Sequence, residues 1–285
     1  MSNPANIMDG IYTMANDRMA PFLETFLRSV RHFMPSMPVA IIPFDDSLER
    51  TKQLAEMYSA SVVGADPTWD AIGKNIYGDS DYRPGIPAYR YYRKFNAFTG
   101  PFKEFCFMDV NSIALGDVEE LENKLPPQYD ILFLKRSAPF RTIKNASARS
   151  VMQVLSPGFR TGFNAGFFRS RYGTISPTTA QQLGRNVNLR RLFGMAPEQA
   201  FLAWYVCIFG LRHQIIGEFA SDIQDFSSGA KYSVEKRHDG RYYFAEGPSA
   251  GRLAYVLKWT GQDPSAVRGG KNADLFAMFS DQTSK

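Results

Sequence analysis

The chain has 285 residues, of which 44% are hydrophobic and 21% are charged, and its formal net charge is +5. This composition supports a folded core and excludes a wholly disordered chain. The longest apolar runs, such as 200–211, fall short of the roughly 20 residues of a membrane span, and the first residues lack the pattern of a secretion signal, so a cytoplasmic location is expected.

The first sixty residues alternate strand and helix patterns. Short apolar runs predict strands at 7–14, 39–42 and 61–63. A helix is predicted after Pro21, because proline fits the first helical turn without losing a hydrogen bond, and another is predicted at 48–58. This order predicts an α/β fold with a mostly parallel sheet and helices on both faces.

The rest of the chain is predicted to complete a single domain, 1–285. Residues 64–86 are rich in Gly, Pro and Asp and predict an ordered loop with some mobility. The remaining predicted elements are helices at 88–98, 178–192 and 197–209, strands at 130–134 and 163–168, a hairpin turn at Gly240, and a polar tail at 261–285.

The two cysteines, Cys106 and Cys207, each lie in apolar sequence. Buried thiols are therefore expected rather than a disulfide. This cysteine usage suits a cytosolic protein.

The stretch FMDVNSIAL, residues 107–115, raises the clearest functional question. An apolar run ends at Asp109, and Asn111 follows two positions later. Side chains at i and i+2 of a strand face the same way, so both are expected to project into the crevice at the carboxyl end of the sheet. Such a pair can hold a hard divalent cation together with phosphate oxygens and water. The alternative is an ordinary strand end and turn, where Asp and Asn are common.

Four further segments accompany this motif, namely TMAND at 13–17, Arg93-Lys94-Phe95, FNAGFF at 163–168 and PEQAFL at 197–202. Together with FMDVNSIALGDVEEL, in order and spacing, they resemble the GT-A-fold, nucleotide-sugar-dependent glycosyltransferases of the glycogenin and lipopolysaccharide galactosyltransferase type. The resemblance implies a GT-A-like, Rossmann-like sheet with a C-terminal extension. It also implies that 1–115 binds the nucleotide and that 116–260 binds sugar and acceptor.

The resemblance implies a set of residues that contact a nucleotide-diphosphate sugar, expected to be a UDP-sugar, as donor. Thr13, Ala15 and Asn16 would contact the base and ribose, and Lys94, with Arg93 as the alternate, would neutralise the diphosphate. The glycine of FNAGFF would allow close backbone approach in the sugar pocket. The set comprises Thr13, Ala15, Asn16, Arg93, Lys94, Val110, Asn164, Gly166 and Lys258.

The catalytic residues implied by the resemblance are Asp109, Glu198 and Gln199. Asp109, assisted by Asn111, would bind Mn²⁺ or Mg²⁺, which offsets charge on the leaving diphosphate. Glu198 and Gln199 would lie near the anomeric carbon, where a carboxylate acts as a base or stabilises an oxocarbenium-like state. The structural alternatives are a solvated helix face for the basic pair and a helix N-terminal glutamate favoured by the dipole.

Two departures from the family pattern bear on the activity. Asn111 stands where the family has its second Asp, and the segment 247–259 retains glycines and Lys258 but lacks the late histidine that supplies a metal ligand. The alternative hypothesis is therefore a relative that binds sugar nucleotide or glycan without transferring it. A sugar-1-phosphate nucleotidyltransferase is a further alternative, but the segment after Tyr12 has no glycine until Gly64, where such enzymes have a glycine-rich loop.

The charge distribution is asymmetric, because residues 131–197 contain no acidic residue. That segment carries Lys135, Arg136, Arg141, Lys144, Arg149, Arg160, Arg169, Arg171, Arg185, Arg190 and Arg191. An acid-free stretch predicts an anionic partner, such as a diphosphate, an acceptor or the inner face of an anionic membrane. The acceptor class, whether glycan, lipid or protein, is left open. A nucleic-acid partner is not favoured, because aromatic residues do not interleave with the basic ones.

Overall fold

The computed structural model describes residues 8–120, 128–134, 136–137, 145–155, 162–185, 193, 197–216, 227–228, 232–247, 249–259 and 264–280. The α-helices are α1 Ala20–Phe33, α2 Glu49–Met57, α3 Pro67–Tyr77, α4 Ala146–Leu155, α5 Pro177–Gly184, α6 Pro197–Ile208, α7 Pro264–Arg268 and α8 Ala273–Ser280, with 3-10 helices at Asp17–Met19 and Ala88–Phe98. The strands are β1 Gly10–Ala15, β2 Val39–Pro43, β3 Ser61–Val62, β4 Asp81–Arg83, β5 Ile86–Pro87, β6 Glu104–Met108, β7 Ser112–Ala114, β8 Ile131–Phe133, β9 Arg136–Ser137, β10 Gly162–Phe163, β11 Phe167–Arg171, β12 His213–Ile215, β13 Ser227–Ser228, β14 Val234–Lys236, β15 Tyr242–Phe244 and β16 Val256–Lys258.

The main sheet has the strand order β12-β8-β11-β6-β1-β2-β3. Neighbouring strands are parallel except at β11, which runs antiparallel to β6 and to β8. The predicted mostly parallel α/β sheet is confirmed.

Alternate residues of the central strands enter different cores on the two faces of this sheet. Ile11 packs with α1 and the C-terminal helix α8, whereas its neighbour Tyr12 packs with α3 and the 3-10 helix Ala88–Phe98. Successive side chains of a strand point to opposite faces, so a continuous apolar run serves two cores. The prediction of helices on both faces is confirmed.

Residues 64–86 were expected to form a loop, and that prediction is wrong. Asp66 caps α3 by accepting a hydrogen bond from the Thr68 amide at 2.8 Å, and Pro67 occupies the first helical turn. The helix then buries one face, which consists of Trp69, Ile72, Gly73, Ile76 and Tyr77. The same segment continues into the hairpin of β4 and β5. The composition rich in Gly, Pro and Asp belongs to the helix cap and the turns rather than to a loop.

Other boundaries differ in detail. Residues 88–98 form a 3-10 helix. The helix predicted at 178–192 is observed as Pro177–Gly184, and residues 186–192 lie outside the described residues. The segment 163–168 is a strand, a turn and the start of β11. Gly240, at φ 79°, makes the predicted turn between β14 and β15.

The C-terminal region, predicted as a polar tail at 261–285, contains a packed helix. Helix α8 buries Leu275, Phe276 and Phe279. The ring of Phe276 lies 5.5 Å from that of Phe22 in α1. The apolar face of α8, which the prediction of a polar tail overlooked, therefore completes the core on α1.

Two smaller predictions concern the thiols and the membrane. Cys106 and Cys207 are buried thiols and form no disulfide, as expected. Within the described ranges, no helix has the length and apolar character that crossing a bilayer requires.

The pairing of β16 with β7 brings the C-terminal strand β16 next to the motif FMDVNSIAL. The two strands are antiparallel, and Lys258 lies opposite Ser112. The Trp259 amide continues this ladder by donating to the Asn111 carbonyl at 2.9 Å. Lys258 is thereby placed beside the residues that follow β6.

Candidate active site

The carboxyl ends of β1 and β6 lie side by side at one edge of the sheet. The strands are parallel, with Tyr12 opposite Phe107, so the residues after Tyr12 and after Phe107 reach the same edge. Open α/β sheets bind ligands at this edge. The residues predicted from TMAND and from FMDVNSIAL therefore meet at this edge of the sheet, which is called the crevice below.

The Asp109–Asn111 motif is a turn and not the end of a regular strand. Strand β6 ends at Met108, and the Ser112 amide donates to the Asp109 carbonyl at 3.1 Å. The prediction that the side chains of Asp109 and Asn111 face the same way assumed that both residues continue the strand, and that assumption is wrong. Asn111 donates its amide to the Trp259 carbonyl at 2.9 Å, whereas Asp109 has two lysines as partners.

Asp109 is held between two ammonium groups. Its Oδ1 accepts a hydrogen bond from Lys94 Nζ at 2.9 Å, and its Oδ2 accepts one from Lys258 Nζ. The two lysine side chains are 2% and 8% exposed, and that of Asp109 is 24% exposed. Each oxygen of the partly exposed Asp109 carboxylate therefore forms an ion pair with a buried lysine.

Lys94 extends this arrangement into a network of alternating charge. Its Nζ lies 3.6 Å from Glu198 Oε1 and donates to the Ala165 carbonyl at 3.0 Å. It also lies 4.8 Å from the centre of the Phe107 ring, a favourable position for a cation over an aromatic face. The order Glu198, Lys94, Asp109, Lys258 gives each buried charge an opposite neighbour, which a buried ion requires.

Glu198 stands in the first turn of α6, where the helix dipole favours a negative charge. It is 7% exposed. Gln199, the other residue predicted from PEQAFL, is half-buried at the next position. The helix start predicted from the sequence therefore carries a carboxylate to the lysines of the crevice.

The charges in the network shift one another's protonation. Burial by itself raises the pKa of Asp109, but the charges of Lys258 and Lys94 lower it to about 2. Burial disfavours the charge of Lys94, yet Asp109 and Glu198 raise its pKa overall. Burial lowers the pKa of Lys258, and Lys94 adds to this effect against the attraction of Asp109. Asp109 is therefore a carboxylate at any physiological pH.

Gly166 makes the contact between Lys258 and Asp109 sterically possible. A Cβ at this position would collide with Lys258 Nζ and would lie 2.7 Å from Asp109 Oδ2 and 2.9 Å from Asn164 Oδ1. The Gly166 amide donates to Asn164 Oδ1 at 2.8 Å, and its carbonyl accepts from the Asp109 amide at 2.8 Å. Asn164 and Gly166, the two site residues predicted from FNAGFF, therefore lie directly against the charge network.

The end of β1 contributes two buried polar oxygens, Thr13 Oγ1 and Asn16 Oδ1. Neither has a hydrogen-bond partner among the residues that the structure describes. Asn16 uses its amide to donate to Asp45 Oδ2 at 2.7 Å. Ala15, between them, is buried in the core below. Unsatisfied buried acceptors cost free energy, so these oxygens are suited to a ligand that donates hydrogen bonds.

Two residues that were predicted to contact the nucleotide-sugar donor have other partners in the structure. Arg93 binds the carboxylate of Asp70 in α3 with contacts of 2.8 Å and 2.6 Å, so its guanidinium supports α3, whereas its neighbour Lys94 contacts Asp109. The side chain of Val110 packs in the core with α1. The bidentate pair of Arg93 arises because α3, which was not predicted, lies against the 3-10 helix.

Sequence reasoning missed an aromatic group at the crevice. Tyr91 lies with its ring 5.3 Å from that of Phe44, which follows β2, and 5.1 Å from that of Tyr82 in β4. Burial and then the charge of Glu198 raise the pKa of Tyr91, which places it near the charge network. The spacing of Tyr91 from Lys94, three positions along a helical segment, was the available signal.

Solved structures with a similar fold were found along nearly the whole chain. A galactosyltransferase, LgtC, in complex with donor and acceptor sugar analogs, has a TM-score of 0.63 at 11% identity, covering 97% of this chain and 96% of that one. The bifunctional glycosyltransferase WbbM has a TM-score of 0.60 at 12% identity, covering 100% of this chain and 51% of that one. The glycosyltransferase GlyE of Streptococcus pneumoniae TIGR4 has a TM-score of 0.55 at 12% identity, covering 96% of this chain and 60% of that one.

The chain has the GT-A fold. The expectation drawn from the five sequence segments is confirmed at the level of fold. No protein-family model matches the chain, and no curated protein matches its sequence. At this level of identity the likeness concerns architecture, and the chemistry has to be argued from the residues of the GT-A crevice.

The divalent cation expected at Asp109 and Asn111 does not fit the residues present. Both oxygens of Asp109 already bind ammonium groups, and Asn111, whose nitrogen donates to the Trp259 carbonyl, offers only a neutral amide oxygen. Across the described ranges, no three His, Cys, Asp or Glu side chains come together as a metal-binding group. Hard cations such as Mg²⁺ require several oxygen ligands, most of them charged or water.

The acid-free segment 131–197 is partly neutralised within the fold. Arg169 and Arg171 of β11 bind the two oxygens of Glu104 at 2.5 Å and 3.0 Å. The side chains of Lys135, Arg136, Arg141, Lys144, Arg149, Arg160, Arg190 and Arg191 lie outside the described residues. An anionic partner for this segment stays a prediction.

Proposed function

We propose that this protein is a glycosyltransferase that moves a sugar from a nucleoside diphosphate donor, a UDP-sugar, to an acceptor hydroxyl. The observation that carries the proposal is the buried network of Glu198, Lys94, Asp109 and Lys258 at the ligand-binding edge of a GT-A sheet. A structural ion network has no need for that location. An enzyme that must receive a diphosphate and stabilise its departure does.

The nucleoside end of the donor lies at the carboxyl end of β1 in this proposal. Asn16 Oδ1 and Thr13 Oγ1 are buried acceptors without a partner in the described part of the chain, and uracil and ribose both carry donors. The rings of Phe44 and Tyr91 supply a partly exposed aromatic surface at the end of the neighbouring strand β2. Stacking on such a surface is worth about 1–3 kcal/mol per base.

The transfer step breaks the bond between the anomeric carbon and the diphosphate oxygen, and the electron pair of that bond leaves on the diphosphate. The acceptor oxygen forms the new bond to the anomeric carbon, and its proton passes to a base. Glu198 is the carboxylate placed to act as this base or to stabilise positive charge on the sugar. The ammonium groups of Lys94 and Lys258 offset the charge that develops on the leaving diphosphate.

A second candidate function is binding of a sugar nucleotide or glycan without transfer. The observation that favours it is Asn111, which stands where the family has an acidic ligand and is occupied by the Trp259 carbonyl. The two functions share donor binding and differ in turnover. Release of sugar from the donor, to acceptor or to water, separates them.

The acceptor and the place of action are further predictions. A glycan, lipid or protein acceptor is compatible with the open edge of the crevice. The acid-free segment 131–197 favours an anionic acceptor or a peripheral position on the inner face of a membrane, where each basic residue contributes about 1 kcal/mol.

The experiment that tests the function is a nucleotide panel followed by a turnover assay. Uridine, guanosine, adenosine and cytidine diphosphates are each added to the protein, with EDTA and separately with Mn²⁺, and the melting temperature is measured. A rise with uridine diphosphate that is reduced in Lys94→Met but kept in the surface variant Lys52→Met is expected. Hydrolysis of UDP-sugars is then measured by the amount of uridine diphosphate that is released. Failure of every nucleoside diphosphate to raise the melting temperature under either condition contradicts the proposal.

A further inference from the structure

The contact between Lys258 and Asp109 occupies the position at which a GT-A motif would be expected to hold a cation. Lys258 Nζ binds Oδ2 of Asp109, while Oδ1 is taken by Lys94 Nζ at 2.9 Å. A divalent ion at this carboxylate would have to displace an ammonium that is buried and charged. It would then lie beside the remaining positive charge, which opposes its binding.

The surroundings of this contact are shaped to it. A Cβ at position 166 would collide with Lys258 Nζ and would lie 2.7 Å from Asp109 Oδ2, so a larger residue there would have to displace these side chains. The ladder between β16 and β7 holds the backbone of Lys258 opposite Ser112. Long-range pairing and a close backbone approach thus both place this ammonium at the motif.

Asn111 completes the difference from a metal site. Its amide nitrogen donates to the carbonyl of Trp259, the residue next to Lys258. The same turn therefore binds the strand that carries the lysine, using an uncharged side chain. A carboxylate at 111 would face that carbonyl without a proton to donate, so Asn suits the lysine arrangement and Asp suits a cation.

We propose that Lys258, held by Asp109, takes the place of the divalent cation and that donor binding and sugar transfer in this protein are independent of metal. This inference rests on the proposed function. In this proposal the Lys258 ammonium, which donates to Asp109, also donates to a phosphate oxygen of the bound nucleotide. Lys258 is the more exposed of the two lysines, which makes it the one that reaches the donor diphosphate, with Lys94 behind it. Asp109 serves as the positioning residue that aims Lys258.

The first test needs no variant. Uridine diphosphate is titrated into the wild-type protein by calorimetry, once with EDTA and once with Mn²⁺, and Mn²⁺ binding is followed by the electron paramagnetic resonance signal of the free ion. Affinities that agree within about twofold, with no Mn²⁺ taken up beyond that bound by the nucleotide alone, are expected. Binding of uridine diphosphate only with Mn²⁺ overturns the inference and leaves the proposed function standing. No binding under either condition overturns both.

The second test exchanges the two kinds of positive charge. Lys258→Met is expected to weaken uridine diphosphate binding about 100-fold in EDTA while leaving uridine binding within about twofold, because only the diphosphate contact is lost. Lys258→Arg keeps the charge and is expected to recover most of the affinity, and Lys52→Met serves as the surface control. Asn111→Asp combined with Lys258→Met is expected to acquire Mn²⁺-dependent binding, whereas Asn111→Asp alone is not. Mn²⁺ dependence in Asn111→Asp alone contradicts the inference, since it would mean that Lys258 does not occupy the cation position.

Discussion

Lys258 and Asp109 are 149 positions apart in the chain and form an ion pair at the carboxyl end of β6. The pair exists because β16 adds to β7 directly after the turn that begins at Asp109. It links the last strand of the fold to the motif that first suggested a function. Several measurable properties depend on this pair and on the network around it.

Replacing Lys94 by Met is expected to lower the free energy of unfolding by about 3–5 kcal/mol, because the buried Glu198 would lose its lysine partner and Asp109 would keep only Lys258. Urea denaturation at neutral pH measures the change. Lys52→Met, a loss of the same charge from the exposed face of α2, is expected to stay within about 0.5 kcal/mol of wild type. A Lys94 variant as stable as the Lys52 variant would contradict the buried network.

The stability of the network is expected to fall in acid. The pKa of Asp109 is lowered to about 2 in the fold, so its contribution is complete above the unfolded value near 3.9 and is lost as the pH falls through about 2. That contribution is about 2 kcal/mol. The free energy of unfolding of wild type and of Asp109→Asn is compared across this range, and the difference between them should shrink on acidification. A difference that is constant with pH would show that Asp109 does not carry the shifted titration.

Gly166→Ala is expected to reduce nucleotide binding and turnover by about 100-fold, because the added methyl group displaces Lys258 from Asp109. The cost in stability is expected to be only about 1–3 kcal/mol, the range for overpacking. Gly64→Ala is the matched control, since a Cβ at Gly64 meets no atom within 4 Å and its backbone needs no positive φ. Equal activities of the two variants would remove Gly166 from the site.

Arg93 is expected to stabilise the fold without binding the donor. Its bidentate pair with Asp70 predicts a coupling energy of about 1–3 kcal/mol in a double-mutant cycle of Arg93→Met and Asp70→Asn. The affinity for uridine diphosphate should change by less than about twofold in Asp70→Asn. Nucleotide binding that falls as strongly in Arg93→Met as in Lys94→Met would restore Arg93 to the diphosphate site.

Glu198→Gln is expected to lower turnover by about 100-fold or more while leaving donor affinity nearly unchanged, because it removes a base but not a phosphate contact. Turnover and nucleotide affinity are measured separately on the same preparation. The surface substitution Lys52→Met, away from the site, provides the comparison. A parallel loss of affinity and turnover in Glu198→Gln would point to a structural role for the carboxylate.

The architecture could be predicted from the sequence because its determinants are local. Short apolar runs such as Val39–Pro43 and the helical spacing after Pro21 each specify an element from a few neighbouring residues. Where the prediction failed, at α3, the same kind of signal was present in Asp66, Pro67 and the spacing of Trp69 from Ile72 and Ile76. The abundance of Gly, Pro and Asp around the helix outweighed it.

The membership of the site could be predicted only in part. Asp109, Lys94, Gly166 and Glu198 were identified by their resemblance to a family pattern, and the fold brings them together. The aromatic group at Tyr91 was missed although it lies three positions before Lys94, because its partners Phe44 and Tyr82 come from separate elements. Lys94 was expected to neutralise the diphosphate with Arg93 as the alternate, but the sequence could not show that Arg93 binds Asp70, since that contact depends on how α3 packs.

The sequence by itself determined the α/β class, the order of its central elements and the point along the chain where a polar turn interrupts a buried strand. Periodicity and turn chemistry act over a few residues, and the chain displays them directly. Only the tertiary structure decided what that polar turn holds. The partner of Asp109 is an ammonium delivered from Lys258 through the register of β16 on β7, and strand register is a property of the whole packed sheet, in which one residue of slip would turn every side chain to the other face.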